Sequence, residues 1–222
     1  MKIWAFGDSY TEPFHKQKGE TEKYFEYKGY IPNNYVEIVA QQLDLEYENF
    51  GKGGRSNRTI LSQFINVLDQ IQPKDILIFG WSSPSRFRIS DNNGDFFDIV
   101  SNKTHINDEV GNFFSAKTIE ETIIMRDQPI FLTEILEYMK WVKKTFSNCT
   151  IVNWTWYHFN IPSFTTGVEH IINYQNSMIH HGFLHDIYED TNGLVKDYHY
   201  SELGHKLLSE KIINYIKNNL IE

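Results

Sequence analysis

The 222-residue sequence is poor in cysteine, in positive charge and in long apolar segments. Its single cysteine, Cys149, excludes an internal disulfide framework and a cysteine-based zinc cluster, so no feature of the chain requires an oxidising compartment. Because an apolar run follows it, we expect Cys149 to be a buried, unreactive thiol. The 21 Lys and Arg against 29 Asp and Glu give a net charge of −8, which argues against non-specific binding of nucleic acid.

The N-terminus lacks the apolar length of a targeting or membrane segment. Only a handful of apolar residues precede Gly7 and Asp8, which is too few for a signal-peptide core or a transmembrane helix. We therefore expect neither a signal peptide nor a membrane span, and a cytoplasmic or phage-associated location.

What the chain does contain is an alternation of strand and helix patterns. Short apolar runs predict strands at 3–6, 45–50, 75–80 and 150–154. Amphipathic patterns predict helices at 34–43, 59–71, 130–146 and 201–220. A further helix is expected to begin at Asp8 or Ser9. This alternation predicts an α/β fold with a mostly parallel sheet, helices on both faces, and a ligand site at the carboxyl ends of the strands.

Residues 83–127 interrupt the alternation with a polar stretch that is rich in Asn and Asp and broken by glycine. Two aromatic pairs, Phe96-Phe97 and Phe113-Phe114, predict that this stretch packs as a subdomain or lid, because unstructured loops of such length are rare. The chain has no internal repeat and no low-complexity linker. We therefore expect residues 1–222 to form one domain with an insertion at 83–127.

Two polar segments at opposite ends of the chain supply the residue types of a nucleophilic triad. Ser9 directly follows the first predicted strand, while His199 lies just ahead of the last predicted helix. Asp197 is placed to accept the second ring N–H of His199 and so to fix its tautomer. A serine hydroxyl activated by an oriented histidine is the nucleophile of acyl transfer. Asp186 and Asp190 are alternative acids, and Ser9 taken alone is better explained as a helix cap.

A glycine-rich loop after the second strand supplies a candidate oxyanion donor. The segment from Asn49 to Asn57 contains three glycines, and glycine lets a backbone N–H approach a substrate closely. The loop matches neither the dinucleotide-binding fingerprint nor the P-loop. We take Gly54 as the backbone donor, and Ser82, after the third strand, as a side-chain donor at the same edge.

These four segments together resemble the blocks of the SGNH, or GDSL-type, hydrolases, which are esterases and deacylases. The first block is intact at Ser9, and the second is intact as Asn49-Phe50-Gly51-Lys52-Gly53-Gly54. The last block keeps His199, with its acid shifted by one position to Asp197. The third block departs from the family, because Ser82 stands where the oxyanion asparagine belongs.

The resemblance covers most of the chain outside the insertion and implies a flavodoxin-like three-layer α/β/α fold with a mostly parallel five-stranded sheet, for which we expect the strand order 2-1-3-4-5. It implies ester hydrolysis through an acyl-enzyme on Ser9, with no metal and no cofactor. Serine is a shorter donor than asparagine, and a lost oxyanion donor costs about 3 kcal/mol. We expect that Ser82 itself, the Trp81 indole N–H or Asn57 compensates, or that the enzyme is slow. We include Asp8 among the substrate-binding candidates.

The expected substrate is a small-molecule or glycan ester, with an O-acetyl group on a carbohydrate as the best match. Three arginines in or after the motif loops are candidates to clamp a carboxylate or phosphate, with ordinary ion pairing as the plainer explanation: Arg55, Arg86 and Arg88. Aromatic rings after the third and fourth strands are candidates to stack on a sugar, with core packing as the alternative: Trp81, Trp154, Trp156 and Tyr157.

Three other functions remain open at this point. A catalytically degenerate carbohydrate-binding or structural module would share the fold, and Ser82 is the residue that favours it. An O-acyltransferase would use the same residues with a sugar hydroxyl as acceptor. A flavodoxin-like nucleotide binder is the third. The oligomeric state cannot be read from the sequence.

Overall fold

The computed structural model describes residues 1–16, 22, 25–26, 29–84, 86–90, 96–99, 121, 132–156, 171–173, 200 and 202–220. The strands of this part of the chain are β1 (Lys2–Gly7), β2 (Glu46–Asn49), β3 (Ile76–Trp81), β4 (Phe87–Ser90), β5 (Phe96–Ile99), β6 (Thr150–Thr155) and β7 (Ile171–Asn173). Five of them form one sheet in the order β2-β1-β3-β6-β7, and every pairing in it is parallel. β4 and β5 form a separate antiparallel pair.

The α-helices of the described ranges are α1 (Tyr35–Leu43), α2 (Asn57–Ile65), α3 (Leu132–Thr145) and α4 (Glu202–Asn219). Asn34 caps α1 by accepting hydrogen bonds from two backbone N–H groups, and the Glu37 side chain accepts one from the Asn34 N–H in return. Ser56 caps α2 in the simpler way, with its hydroxyl accepting from the Thr59 N–H. Among the helices of the described ranges, none has the length and apolar character to cross a bilayer.

Both faces of the five-stranded sheet are covered, which makes the fold a three-layer α/β/α sandwich. Alternate side chains of each central strand point to opposite faces. One face packs against α1 and α4 through a buried cluster that includes Ile3, Ile78, Val152, Val39 and Leu208. The other packs against α2 and α3 through a cluster that includes Phe6, Phe79, Phe64, Ile135 and Met139. The predicted fold class and strand order are confirmed.

Most predicted elements are confirmed to within two residues of their ends, but the second helix is shorter than expected. α2 ends at Ile65, and a separate 3₁₀ turn follows at Leu68–Gln70. A fifth strand was expected, but its position was not predicted, because β7 contains only three residues. Cys149 is buried as expected, and burial together with the nearby charge of Asp75 raises the pKa of its thiol.

The helix expected to begin at Asp8 or Ser9 is not present there. The Asp8 carbonyl accepts hydrogen bonds from the N–H groups of Thr11 and Glu12, at 2.9 and 3.1 Å, and closes a turn. Pro13 follows and has no N–H with which to continue a helical ladder. The chain then makes a single 3₁₀ turn at Phe14–Lys16.

The predicted insertion at 83–127 falls largely outside the described residues. The part that is described contains β4 and β5, which pair with each other and not with the main sheet. A cluster of hydrogen bonds joins this hairpin to the start of α2: the carboxylate of Asp98 accepts from Arg55 at 3.2 Å, from Thr59 at 2.7 Å and from the Ser56 hydroxyl. The extent of the insertion and the single-domain organisation stay predictions.

Candidate active site

Ser9 lies in the turn that follows β1, at the carboxyl edge of the sheet, and its side chain is half-buried. Asp8 stabilises this turn through its backbone and its side chain. Its carbonyl closes the turn, and its Oδ1 accepts from the Tyr10 N–H at 3.1 Å. Thr11 fixes the far side, because its carbonyl accepts from the side-chain amides of Asn34 and Asn49, both at 2.8 Å. The nucleophile candidate therefore stands on a turn tied to two other segments.

The Asp8 carboxylate is fully buried and satisfied by protein groups. Its Oδ2 accepts from Arg86 Nη1 at 2.6 Å and from Trp156 Nε1 at 2.9 Å. The Arg86 guanidinium also lies over the Trp156 ring, 5.2 Å from its centroid. Asp8 thus positions the Ser9 turn, in contrast to its predicted role in binding substrate. Arg86 is anchored to the site by the same pair.

The glycine-rich loop packs directly against this turn. Lys52 donates its N–H to the Gly7 carbonyl at 3.2 Å. A Cβ added at Gly51 would lie 2.4 Å from the Thr11 carbonyl carbon, so only glycine fits there. A Cβ added at Gly53 would lie 3.7 Å from the Ser9 Cβ, which places the loop beside the nucleophile candidate.

Within this loop, the two adjacent glycines have different surroundings. Gly53 donates its N–H to Glu12 Oε2 at 2.8 Å, so that donor is already engaged. Gly54, the predicted oxyanion donor, has a φ of +77°, in the left-handed region that favours glycine. Glu12 and Asn34 were not identified from the sequence. The capping pattern ahead of α1 is the sequence signal that indicates Asn34, whereas no sequence pattern indicates Glu12.

Ser82 follows β3 and is fully buried, and in the described part of the chain its Oγ has no hydrogen-bond partner. Its backbone is held by Asn57: the Asn57 Oδ1 accepts from the Ser82 N–H at 2.7 Å, and Nδ2 donates to the Ser82 carbonyl at 2.9 Å. Nδ2 also points to the Ser83 carbonyl at 3.5 Å. The Asn57 amide is therefore engaged with backbone, so it fixes the loop and does not supply the compensating donor that was predicted.

Two of the tryptophans predicted to reach the site belong to the core instead. Trp81 is fully buried, stacks on Phe79 and donates its indole N–H to Asn153 Oδ1 at 2.9 Å. Trp154 is fully buried on the other face and donates to the Tyr35 hydroxyl at 3.1 Å. Neither ring is available to stack on a sugar, and the Trp81 N–H is not an oxyanion donor.

Trp156 is the described aromatic candidate that does lie at the site. Its ring stacks on Tyr10 with centroids 5.1 Å apart and an interplanar angle of 27°. The other two arginines are held by protein groups: Arg55 Nη1 donates to Asp98, and Arg88 Nη1 donates to the Ser62 hydroxyl at 2.9 Å.

A buried hydroxyl pair lies beneath the Ser9 turn. The Tyr35 hydroxyl is 3.0 Å from Thr11 Oγ1 and also accepts from the Trp154 indole. Burial raises the pKa of Tyr35 well above its ordinary value, although the two hydrogen bonds act in the opposite direction. The phenol is therefore neutral at physiological pH.

The remaining triad candidates, Asp197 and His199, lie outside the described residues, as do Asp186, Asp190 and Tyr157. Tyr200, the residue after His199 in the sequence, is described. Its fully buried ring packs edge-on against Tyr10, the residue after Ser9, with centroids 4.7 Å apart. Within the ranges that the structure describes, no three His, Cys, Asp or Glu side chains are grouped closely enough to hold a metal ion.

The sequence matches no protein-family model and no curated protein. Two solved structures align with nearly the whole chain. A protein assigned as a lipolytic member of the G-D-S-L family, from Desulfitobacterium hafniense DCB-2, is 15% identical with a TM-score of 0.46, and the alignment covers 96% of this chain and 98% of that one. The psychrotrophic esterase EstA from Pseudoalteromonas sp., in a structure inhibited by monoethylphosphonate, is 12% identical with a TM-score of 0.45, and the alignment covers 98% and 97%.

Proposed function

We propose that this protein is a serine esterase or deacylase that hydrolyses an ester through an acyl-enzyme on Ser9. The observation that carries the proposal is the approach of two separate segments to the Ser9 turn. The glycine loop reaches the Ser9 Cβ through Gly53, and Tyr200 contacts Tyr10. Three of the four segments that carry the family blocks are thus neighbours at the carboxyl edge of a parallel sheet, where α/β folds bind ligands.

In the proposed mechanism, His199 removes the proton from the Ser9 hydroxyl as its oxygen attacks the acyl carbon. The protonated imidazole then gives this proton to the departing alcohol oxygen, which leaves the acyl group on Ser9. Water, deprotonated by the same histidine, hydrolyses the acyl-enzyme and restores the serine. Asp197 accepts the second ring N–H and stabilises the imidazolium.

The tetrahedral intermediate needs hydrogen-bond donors at its oxyanion. We assign this role to the backbone N–H groups of Ser9 and Gly54 and to the Ser82 hydroxyl. Two features support Ser82: its Oγ is buried without a partner in the described part of the chain, and its backbone is fixed on both sides by Asn57. A buried hydroxyl left without a partner costs about 1–3 kcal/mol, so a developing oxyanion offers it a favourable contact.

The described surroundings of Ser9 favour a small, polar substrate. Glu12, Arg86 and the Tyr10–Trp156 pair are near the turn, and they do not form the apolar channel that a long acyl chain requires. An acetyl ester on a carbohydrate fits this polar environment.

Activity on 4-nitrophenyl acetate tests the proposal. Ser9→Ala and His199→Ala should each lower kcat by about 10⁴-fold or more, because the two residues act as one unit. Asp197→Asn should leave a reduced but measurable rate; full activity in that variant would transfer the acid role to Asp186 or Asp190. The matched control is Ser147→Ala, which changes an exposed serine just after α3 and should behave like the wild type. Equal rates for wild type and Ser9→Ala would contradict the proposal.

A second candidate function is a carbohydrate-binding module of the same fold without activity. The observation that favours it is the replacement of the family asparagine by Ser82, together with the engagement of Asn57 and Trp81 elsewhere. If the wild-type protein binds sugar but shows no Ser9-dependent hydrolysis, this candidate is supported over the esterase. Transfer of the acyl group to an added sugar, in preference to water, would instead indicate an acyltransferase.

A further inference from the structure

A small polar cavity lies between the start of α2, the loop that leads into β4, and α3. Three arginines line it, Arg58, Arg86 and Arg88, together with Asn57 and a single carboxylate, Glu134. Its wall therefore carries more positive than negative charge, although the whole chain has a net charge of −8. A concave, mostly enclosed surface with several guanidinium groups is suited to an anion.

The three arginines differ in how far protein groups already satisfy them. Arg86 is paired with the buried carboxylate of Asp8 at 2.6 Å. Arg88 donates from Nη1 to a neutral hydroxyl, that of Ser62. Arg58 is exposed, and its guanidinium has no ion-pair partner in the described ranges. Arg58 is also at the N-terminal turn of α2, where the helix dipole adds positive potential.

The size of the cavity selects the kind of anion. Its volume is about 30 Å³, whereas a single water needs about 10–15 Å³ measured in the same way. This space suits a group of two or three heavy atoms better than a tetrahedral phosphate or sulfate. A carboxylate meets that limit, and its two oxygens match the paired N–H donors of a guanidinium.

The cavity is directly connected to the candidate catalytic residues. Arg86, on its wall, bonds to Asp8, which immediately precedes Ser9. Asn57, also on its wall, holds both backbone groups of Ser82. The wall of the cavity is therefore linked by hydrogen bonds to Asp8, which precedes Ser9, and to Ser82.

We propose that this cavity binds a carboxylate that the substrate carries close to its ester, with Arg58 as the residue that selects for it. This inference rests on the proposed function, because it specifies the substrate class of the same site. It replaces the sequence-based assignment of Arg55, which is engaged with Asp98, by Arg58. The carboxylate would be ionised at neutral pH and would gain charge-assisted hydrogen bonds that a neutral ester cannot form.

Calorimetry on full-length Ser9→Ala protein tests the cavity without requiring turnover. Monomethyl succinate, which has one ester and one carboxylate, is compared with neutral dimethyl succinate. The monomethyl compound should bind at least tenfold more tightly, and Arg58→Gln should reduce this ratio about tenfold. Lys144→Gln, which removes an exposed charge on α3, should leave the ratio unchanged, and Arg58→Lys should restore it in part. Equal binding of the two compounds, or a ratio unaffected by Arg58→Gln, would overturn the inference.

Two further results separate the cavity from the catalytic proposal. If the protein prefers the carboxylate compound but the wild type hydrolyses no ester, the carboxylate site is supported and the esterase proposal is contradicted. If hydrolysis depends on Ser9 but the carboxylate compound is not preferred, the esterase proposal is supported and the carboxylate site is contradicted. Inorganic phosphate that displaces monomethyl succinate more effectively than acetate does would contradict the assignment to a carboxylate.

Discussion

The ion pair between Arg86 and Asp8 fixes the Ser9 turn, so its removal should affect both stability and activity. Asp8 is fully buried, and Arg86 Nη1 lies 2.6 Å from its Oδ2. Arg86→Met keeps much of the length of the side chain and removes the charge. Of the described residues, two neutral donors then remain on the carboxylate, the Trp156 indole and the Tyr10 N–H.

The expected loss follows from what remains around that carboxylate. Removing one partner of a buried ion pair costs about 3–5 kcal/mol, because an uncompensated charge is left behind. The two remaining donors place Arg86→Met near the lower end, at about 3 kcal/mol. For a chain of this length each kcal/mol lowers Tm by about 2–4 °C, which predicts a drop of about 6–12 °C.

Urea denaturation of a double-mutant cycle measures this coupling. Asp8→Asn, Arg86→Met and the double variant are compared with the wild type, and the double variant should be clearly more stable than the sum of the single effects predicts. Arg58→Met is the matched control, since this exposed arginine has no ion pair in the described ranges, and it should change stability by no more than about 0.5 kcal/mol. A loss below about 1 kcal/mol for Arg86→Met, or additive single effects, would refute the reasoning.

Two further predictions concern the support beneath the Ser9 turn. Tyr35→Phe leaves the Trp154 indole without its acceptor and should cost about 1–3 kcal/mol. Because the unfolded state releases the Tyr35 proton first, the stability of the wild type should fall above about pH 10 by up to about 1.4 kcal/mol per pH unit. Thermal melts at pH 9 and 11 measure this loss, and an equally large loss of stability in Tyr35→Phe would contradict the raised pKa. Gly7→Ala would place a Cβ 2.0 Å from Thr11 Oγ1 and should cost about 1–3 kcal/mol in urea titrations, and an unchanged midpoint would show that the turn can shift.

The sequence predicted the central layers well because strands of a covered parallel sheet are continuous apolar runs. Ile76–Trp81 is one such run, and it is buried along its whole length. β7 has only three residues, Ile171–Asn173, which is too short for a periodicity to be recognised. The helix expected at the turn after β1 does not form, because the hydrogen bonds there converge on a single carbonyl, that of Asp8, a property that the residue types do not specify.

In the site, the residues that follow strand ends were easier to predict than those inside strands. Trp81 and Trp154 are paired within the sheet, so each lies in one of the two covered layers. Trp156 is beyond the last paired residue of β6 and is therefore at the edge, next to Tyr10. Arg55 forms an ordinary ion pair, which was its plainer explanation, but its partner could not be named because Asp98 lies 43 positions away on a hairpin that shows no clear pattern in the sequence.

The central claim, that Ser9 is an activated nucleophile, is tested most directly by covalent trapping. A fluorophosphonate ester phosphonylates a serine only when a neighbouring base raises the reactivity of the serine hydroxyl. Peptide mass spectrometry of the folded protein should find one adduct, on Ser9, that is absent from Ser9→Ala and from wild-type protein unfolded in urea. An adduct on another residue, or none on folded wild-type protein, would contradict the account.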